Sequence, residues 1–423
     1  MSQSRRRMLL VLCALTIIAL VLPGCQAATP KNTKVEIFSW WTSGSEAAGL
    51  QALIDKFNAD NPGWEIVNTT TAGGAGTNAQ AVLKTRMLGG DPPDSFQIHM
   101  GHELIDTYVT ANLMEPMDDI YKANGLNNAF PQGVLDAVTY NGHQWSIPVN
   151  IHRSNVLWYN KTVLAANGIN PDDLATFAGW EAAAKTLQAA GIIPLALGSN
   201  GTFGAAHLFE DVLLGSVGAE KWLGLWNGTT DWNGPEVTQA IENYKMMFSY
   251  VNTDHSSLSW DQANQYVIDG KAAMTIMGDW TDGEYINKKF SDYGWAPPPG
   301  TKGLYLALSD SFGLPKGAKN PDGAKRWFAV IGSKEGQQAF SLKKGSICAR
   351  TDCDYSAFDA YLQSAAADWK VDTILPSVVH GAAAKDGWKT AFNDAVALFL
   401  SSQDTAAMQA KLAQACVDAG ICK

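Results

Sequence analysis

Apolar and polar positions fall into a regular order once the chain passes residue 34. "VEIFSWW" (35–41) is a short apolar run that ends in paired tryptophans, and it predicts a buried strand. "SEAAGLQALIDKFNADNPG" (45–63) follows, with Leu50, Leu53, Ile54 and Phe57 at i, i+3, i+4 and i+7. That spacing makes one helical face, with Ser45 read as the N-cap and Asn61-Pro62-Gly63 as the stop. "WEIVNTT" predicts a second strand, "NAQAVLKTRMLGG" a helix closed by glycine, and "DSFQIHM" a third strand. The order βαβαβ implies a mainly parallel sheet covered on both faces.

In such sheets ligands sit beyond the carboxyl ends of the strands. Trp40 and Trp41 end the first strand, and Glu46 falls in the first turn of the next helix. Gln97 and His99 lie near the end of the third strand, two apart and therefore on one face. Polar side chains there are costly to bury unless they serve a site. These residues are candidates for the walls and rim of a pocket.

Residues 150–305 read as a second α/β lobe richer in helix. "NVLWYNKTVLAANGI" predicts a strand leading into a helix, and "GWEAAAKTLQAAGIIPLAL" a helix leading into a strand. "DQANQYVIDGKAAMTIMGDW" predicts a helix and a strand that delivers Asp279 and Trp280 at its end. "GLYLALSDSFGLPKG" is strand-like and carries Asp310. "DGAKRWFAVIGSKEGQQAFSLKKGS" reads as helix followed by a loop holding Lys343 and Lys344, and the last fifty residues are helical and alanine-rich. No repeat or low-complexity tether separates the lobes, so a hinge is expected between them.

Length and composition fit this picture. The 423 residues, 46% hydrophobic, suit two packed domains better than one. The 15 tryptophans belong in cores or against flat apolar ligand faces. Residues 1–24 combine the basic "MSQSRRR" with a 15-residue apolar run and are expected to be a removed secretory signal. "LPGC" follows and resembles the lipobox of bacterial lipoproteins, which makes Cys25 the expected lipidated residue, with Pro23 a departure from the usual pattern. Loss of this segment takes the formal charge from −10 to −13. An acidic chain without a basic run is a poor partner for nucleic acid. No later apolar stretch is long enough to span a bilayer. The four remaining cysteines of an exported chain imply two disulfides with three possible connectivities. Local loops, Cys348 with Cys353 and Cys416 with Cys422, are the favoured choice. Zinc is the rival, but neither spacing is a C-x₂-C knuckle.

Catalytic motifs are thin. "SLKK" places Ser341 three residues before Lys344, but the partner motifs of the penicillin-binding enzymes are missing, and no G-x-S-x-G occurs. "HMGHE" offers His99, His102 and Glu103 without H-E-x-x-H, and His102 and Glu103 read as a solvated helix start. "AGGAGTN" (72–78) lacks the ending of a P-loop and reads as a glycine turn. Glu46, Asp279 and Asp310 could supply a glycosidase with its acid pair. Neither a metal nor a cofactor is expected.

Several long stretches are similar to one family: "EIFSWW", "GGAGTNAQAVLKTRMLGGDPPDSFQIH", "SIPVNIHRSNVLWY", "GKAAMTIMGDW", "LSDSFGLPKGAKN", "KGSICAR" and "VVHGA". Over essentially the whole mature chain the sequence resembles the solute-binding proteins of bacterial carbohydrate ABC transporters, and most closely their glucose/mannose-binding branch. The resemblance implies a two-lobed periplasmic-binding-protein-like (type II) α/β fold with hinge strands and an interlobe cleft. One lobe would comprise 33–148 with about 308–352, the other about 149–307 with 353–423. Positions matching the family's hexose contacts are Trp40, Trp41, Glu46, Gln97, His99, Trp260, Trp280, Asp310, Lys344 and His380. Asn150 and His152 sit in a matching segment. Trp64, Trp158, Trp222 and Trp388 are assigned to core or surface. The implied molecule is an extracytoplasmic, lipid-anchored monomer that binds a monosaccharide and docks on permease subunits. It is a receptor and not an enzyme. A secreted glycosidase and a sugar sensor or adhesin are the alternatives.

Overall fold

The structure, a computed structural model, describes residues 32–71 and 76–422. The expected signal segment, Cys25 and most of the "AGGAGTN" stretch lie outside the described residues. From Lys34 onward the chain forms one compact unit.

Two sheets organise it. The first has five strands in the order Glu65–Thr70, Lys34–Ser39, Ser95–His99, Asp310–Gly313 and Ser146–Pro148. The first three are mutually parallel, as the βαβαβ pattern predicts, and Asp310–Gly313 runs antiparallel to both of its neighbours. The returning strand places Asp310 directly opposite His99. The second sheet orders Tyr293–Ala296, Leu157–Asn160, Ala272–Ile276 and Ile193–Leu195.

A third sheet, Ile347–Cys348, Asn150–Arg153, Leu304–Leu308 and Thr373–Pro376, lies on the path between them. Asn150–Arg153 comes between Ser146–Pro148 of the first sheet and Leu157–Asn160 of the second. Leu304–Leu308 precedes Asp310–Gly313 after Tyr293–Ala296. The chain therefore passes between the sheets twice along paired strands, as hinge strands do.

Helix Gly44–Asp60 buries Leu50, Leu53 and Phe57 on the first sheet, the face that the spacing predicts. Its start differs from the expectation. Ser43, in extended conformation, is the N-cap, and Ser45 lies fully buried inside the first turn. Lys343 and Lys344 also differ: they end helix Lys334–Lys344 instead of lying in a loop. Gly345 stops that helix at φ +77, a conformation that costs glycine nothing.

Glu103 is the third difference. It is not solvated but 2% exposed, at the start of a π-helical turn, Glu103–Val109. The disulfides are the two local ones, Cys348–Cys353 and Cys416–Cys422. Trp158, Trp222 and Trp388 are core residues, and Trp64 is half-buried beneath the Arg326 guanidinium.

Candidate functional site

Asp310 is the centre from which the site can be built. Its strand pairing sets it beside His99, and four side chains converge on its carboxylate. Gln97 Nε2 donates to Oδ1 at 2.9 Å, and Asn150 Nδ2 donates to Oδ2 at 3.1 Å. His99 Nε2 stands 3.8 Å from Oδ1. His152 Nε2 stands 3.3 Å from Oδ2, a close charge contact that misses the alignment of a hydrogen bond. Burial alone would raise the pKa of Asp310. The close His152 contact and the charges of His99 and Lys344 outweigh it and hold the carboxyl well below its ordinary range.

Around Asp310 opens a cleft with a cavity volume of about 440 Å³. Of the sequence-derived candidates, Trp40, Trp41, Glu46, His99, Trp260, Trp280, Asp310, Lys344 and His380 all line it, and so does His152. Residues from segments up to 340 positions apart are thus gathered around one space. Gln97 and Asn150 do not line it. Both are buried, and their amides are taken up by protein partners. Gln97 accepts from Ser39 Oγ and the Trp40 amide while donating to Asp310. Asn150 accepts from the Asp310 amide as well as donating to its side chain. A polar residue on the cleft face of a strand can be one position too deep to reach a ligand, and these two support the residue that does reach the space.

The walls are aromatic. Trp40 is covered on one side by Gly76, where a Cβ would come within 2.7 Å of the indole, and it packs on His99. Trp41 lies against Phe312 and Phe340. Trp280, at the start of helix Trp280–Lys288, is enclosed by His152, Phe203, His207, Trp260 and His380, with ring centroids 5.3–6.4 Å away.

Lys344 Nζ sits 5.5 Å from the Trp280 ring centre and 3.3 Å from Glu46 Oε1. Burial raises the pKa of Glu46, and the Lys344 charge opposes it without cancelling it. His152 shows the reverse balance. Burial pulls its pKa down, but the Asp279 carboxylate bonded to its Nδ1 raises the net value. Asp279 itself is withdrawn from the cleft, bonded to His152 and to the Arg153 amide.

Behind this wall lie groups that sequence reasoning missed. His99 Nδ1 bonds Glu103 Oε2 at 3.0 Å, and Glu103 in turn receives Lys389 Nζ at 3.3 Å. Burial favours neutral Glu103, but the His99 and Lys389 charges win and lower its pKa. Lys389 is 286 residues from Glu103, so no local signal connects them. Phe203 was also missed, because "TFGAAHLFED" looks like any buried helix start. Among the described residues, His207, Glu210 and His380 bring possible metal-ligand atoms within 4.8 Å of one another. Glu210 already accepts from Ser377 Oγ and the amides of Val378 and Val379, so the set acts as a hydrogen-bonded hub that fixes the loop carrying His380. His380 is further held by Ser377 Oγ at 2.8 Å.

Residues 41–338 match the family model of bacterial extracellular solute-binding proteins. A relative that is 34% identical over 95% of this chain, itself covered over 94%, is an uncharacterized ABC transporter extracellular-binding protein of Pyrococcus horikoshii. The chain belongs to the bacterial extracellular solute-binding proteins. A probable sugar-binding periplasmic protein of Mesorhizobium japonicum is 31% identical, with 88% of this chain and 89% of that protein covered. Among solved structures, a bacterial solute receptor described as exclusive for β-D-galactopyranose superposes with a TM-score of 0.81 at 18% identity, over 92% of this chain and 99% of its own. That likeness shows the fold, the two-lobed type II arrangement.

This solute-binding protein is a binding protein and not an enzyme, as its family is. The opposed pKa values of Glu46 and Asp310 resemble an acid–base pair. Among the described residues no helix is long and apolar enough to cross a membrane.

Proposed function

We propose that the chain is the extracytoplasmic sugar receptor of an ABC transporter and that its ligand is a single hexopyranose of the glucose/mannose type. The observation that carries this reading is the pairing, in one cleft, of indole walls with an ionic rim. A pyranose has two C–H faces and an edge of hydroxyls. Trp40, Trp41, Trp260 and Trp280 supply flat apolar area for the faces. Asp310, Glu46, Lys344, His99, His152 and His380 supply donors and acceptors for the edge. Each hydrogen bond to a charged group contributes roughly 1.5–3 kcal/mol net. A sugar with one hydroxyl misplaced leaves such a group unpaired, which is a strong basis for discrimination. The cavity volume of about 440 Å³ falls in the lower part of the small-molecule range of about 300–1,000 Å³.

In this reading Gln97 and Asn150 act on the sugar only through Asp310. The lobes, 33–148 with about 308–352 and about 149–307 with 353–423, close on the ligand by bending at the paired connecting strands. The closed monomer then docks on the permease, held near it by a lipid on Cys25. A thermal-shift screen with hexoses, pentoses and disaccharides tests the assignment. Ligands that bind only the folded state raise the midpoint. The largest shift should come from D-glucose or D-mannose, and incubation should leave the sugar chemically unchanged. A larger shift from a disaccharide or pentose, or product release, would overturn it.

A further inference from the structure

Three cleft residues, Glu46, Trp280 and Lys344, stand at the ends of three different helices, and these ends meet behind the cleft. The contact is unusually close. A Cβ on Gly44 would fall 1.7 Å from Glu284 Oε1, one on Gly283 would fall 2.6 Å from the Lys344 carbonyl oxygen and 2.7 Å from Ser45 Cβ, and one on Gly345 would fall 2.4 Å from the Gly283 amide nitrogen. Backbone leaves room only for glycine at Gly283 and Gly345, and Gly44 and Gly345 adopt positive φ.

One charged side chain that does not line the cleft is buried in this junction. Glu284, 5% exposed, accepts the Ser45 amide on Oε1 at 2.6 Å. Ser45 Oγ turns the same way, toward the Trp280 carbonyl oxygen at 3.4 Å. Helix Gly44–Asp60 has an N-cap residue, Ser43, whose side chain makes no capping bond. The missing cap is provided by a carboxylate 239 residues away on helix Trp280–Lys288. A carboxylate at a helix N-terminus gains both a charge-assisted bond and the favourable end of the helix dipole.

We infer that Glu284 is a positioning residue: by capping helix Gly44–Asp60 from the helix that faces it across the junction, it sets Glu46 against Lys344 and Trp280. The two helices follow strands of different sheets, Lys34–Ser39 and Ala272–Ile276, so the bond ties the two walls of the cleft together at the point where Glu46 enters it. Glu46 is the residue after Ser45, and Trp280 lies one helical turn before Glu284. A shift in this cap is therefore a shift in the rim. The consequence for sugar affinity rests on the receptor reading above, and the cap itself does not.

The test combines local hydrogen exchange, measured without sugar and with the hexose that wild type binds, with affinity for D-glucose and D-mannose, in wild type, Glu284→Ala and Glu284→Gln. In Glu284→Ala, exchange at the Ser45–Ala47 amides should rise about tenfold, the size of one charged hydrogen bond, with helix Asp386–Ser402 unchanged. Glu284→Gln keeps an acceptor without charge and should show about a threefold rise. If Glu284→Ala does not fold, the glutamine variant decides. Affinity for the hexose bound by wild type should fall about tenfold in Glu284→Ala and recover most of the loss in Glu284→Gln. Unchanged exchange at Ser45–Ala47, or an equal rise throughout the chain, overturns the cap. Local exchange that rises while affinity stays at the wild-type value overturns the positioning role. A wild type that binds neither sugar counts against the hexose reading, and the exchange data still decide the cap.

Discussion

His152 and Asp310 face each other at the base of the cleft, with Nε2 3.3 Å from Oδ2, while Asp279 bonds the other ring nitrogen of the same histidine. The imidazole is thereby pressed between two carboxylates, which favours its charged form over the penalty of burial. Asp310 receives that charge together with the amides of Gln97 and Asn150. It enters the cleft ionised and already oriented, so a hydroxyl group meets a fixed acceptor.

Replacing Asp310 by Asn should therefore cost more than one hydrogen bond. The new amide group meets the donors of Gln97 and Asn150, which have no other carboxylate to turn to. Loss of about 1.5–3 kcal/mol, roughly 10–150-fold in affinity, is expected from calorimetry. Gln97→Ala should weaken binding in the same direction by a smaller factor, about threefold to tenfold, although it touches no ligand. Wild-type affinity in Asp310→Asn would remove the carboxylate from the site.

Trp280→Ala should weaken sugar binding far more than Trp64→Ala. Trp280 lies against His152, Phe203, His207, Trp260 and His380 on the cleft wall. Trp64 is half-buried under Arg326 at 4.8 Å and does not line the cleft. Truncating a buried Trp costs about 3–5 kcal/mol of stability, so affinity must be measured on folded protein. Equal losses of affinity in the two variants would make Trp280 a core residue only.

Stability should depend on pH through His207. Burial presses its pKa down to about 3, against the smaller opposing effect of its contact with the Ser154 carbonyl oxygen. An unfolded histidine titrates near 6.5. Between these values the unfolded chain holds a proton that the fold does not. Stability is complete above about pH 6.5 and is lost as pH falls toward 3. Glu210, raised to about 7 by burial, contributes with the opposite sign between its unfolded value and 7. The discriminating quantity is hence the difference between wild type and His207→Gln. The variant should show a shallower decline between pH 6.5 and 4, by up to about 1.4 kcal/mol per pH unit. Parallel declines would mean that His207 is protonated in the fold.

The two disulfides should separate in their effects. Closing so short a loop stabilises by about 2 kcal/mol in the chain-entropy account, so losing either bridge should lower the melting temperature. Cys348 also pairs directly with Asn150, the residue that holds Asp310. The double Ser variant at Cys348 and Cys353 should lose affinity as well as stability. The double Ser variant at Cys416, in the final helix Thr405–Asp418, and Cys422, just beyond it, should lose stability alone. Melting curves and calorimetry on both variants check this. Equal affinity in both would uncouple the Cys348 loop from the site.

Much of this site was legible before any fold was known, for physical reasons. Trp40, Trp41 and His99 sit where apolar strands stop, and strand ends in parallel sheets face the ligand crevice. The family-like stretches "KGSICAR" and "VVHGA" bring in Lys344 and His380 from distant segments, and Trp260 enters only as a position that matches the family's hexose contacts. Depth was not legible. Strand alternation shows which face Gln97 shares with His99, but not that its amide is consumed by Ser39, Trp40 and Asp310. Glu103 read as solvated because one of the two charges that compensate it, on Lys389, lies 286 residues away. Ser45 read as an N-cap by residue type, whereas the capping group is Glu284, a tertiary contact. Long-range pairing of buried charges is the information that local patterns lack.

The central claim, a receptor for one hexopyranose, is tested most directly by isothermal titration of the mature protein with D-glucose, D-mannose, D-galactose, maltose and D-xylose. Saturable binding of one glucose or mannose per chain, tighter than that of the other sugars and with no product formed, is the predicted result. Folded, ligand-free protein that gives no heat with any hexose, or that binds maltose or xylose more tightly, would contradict it.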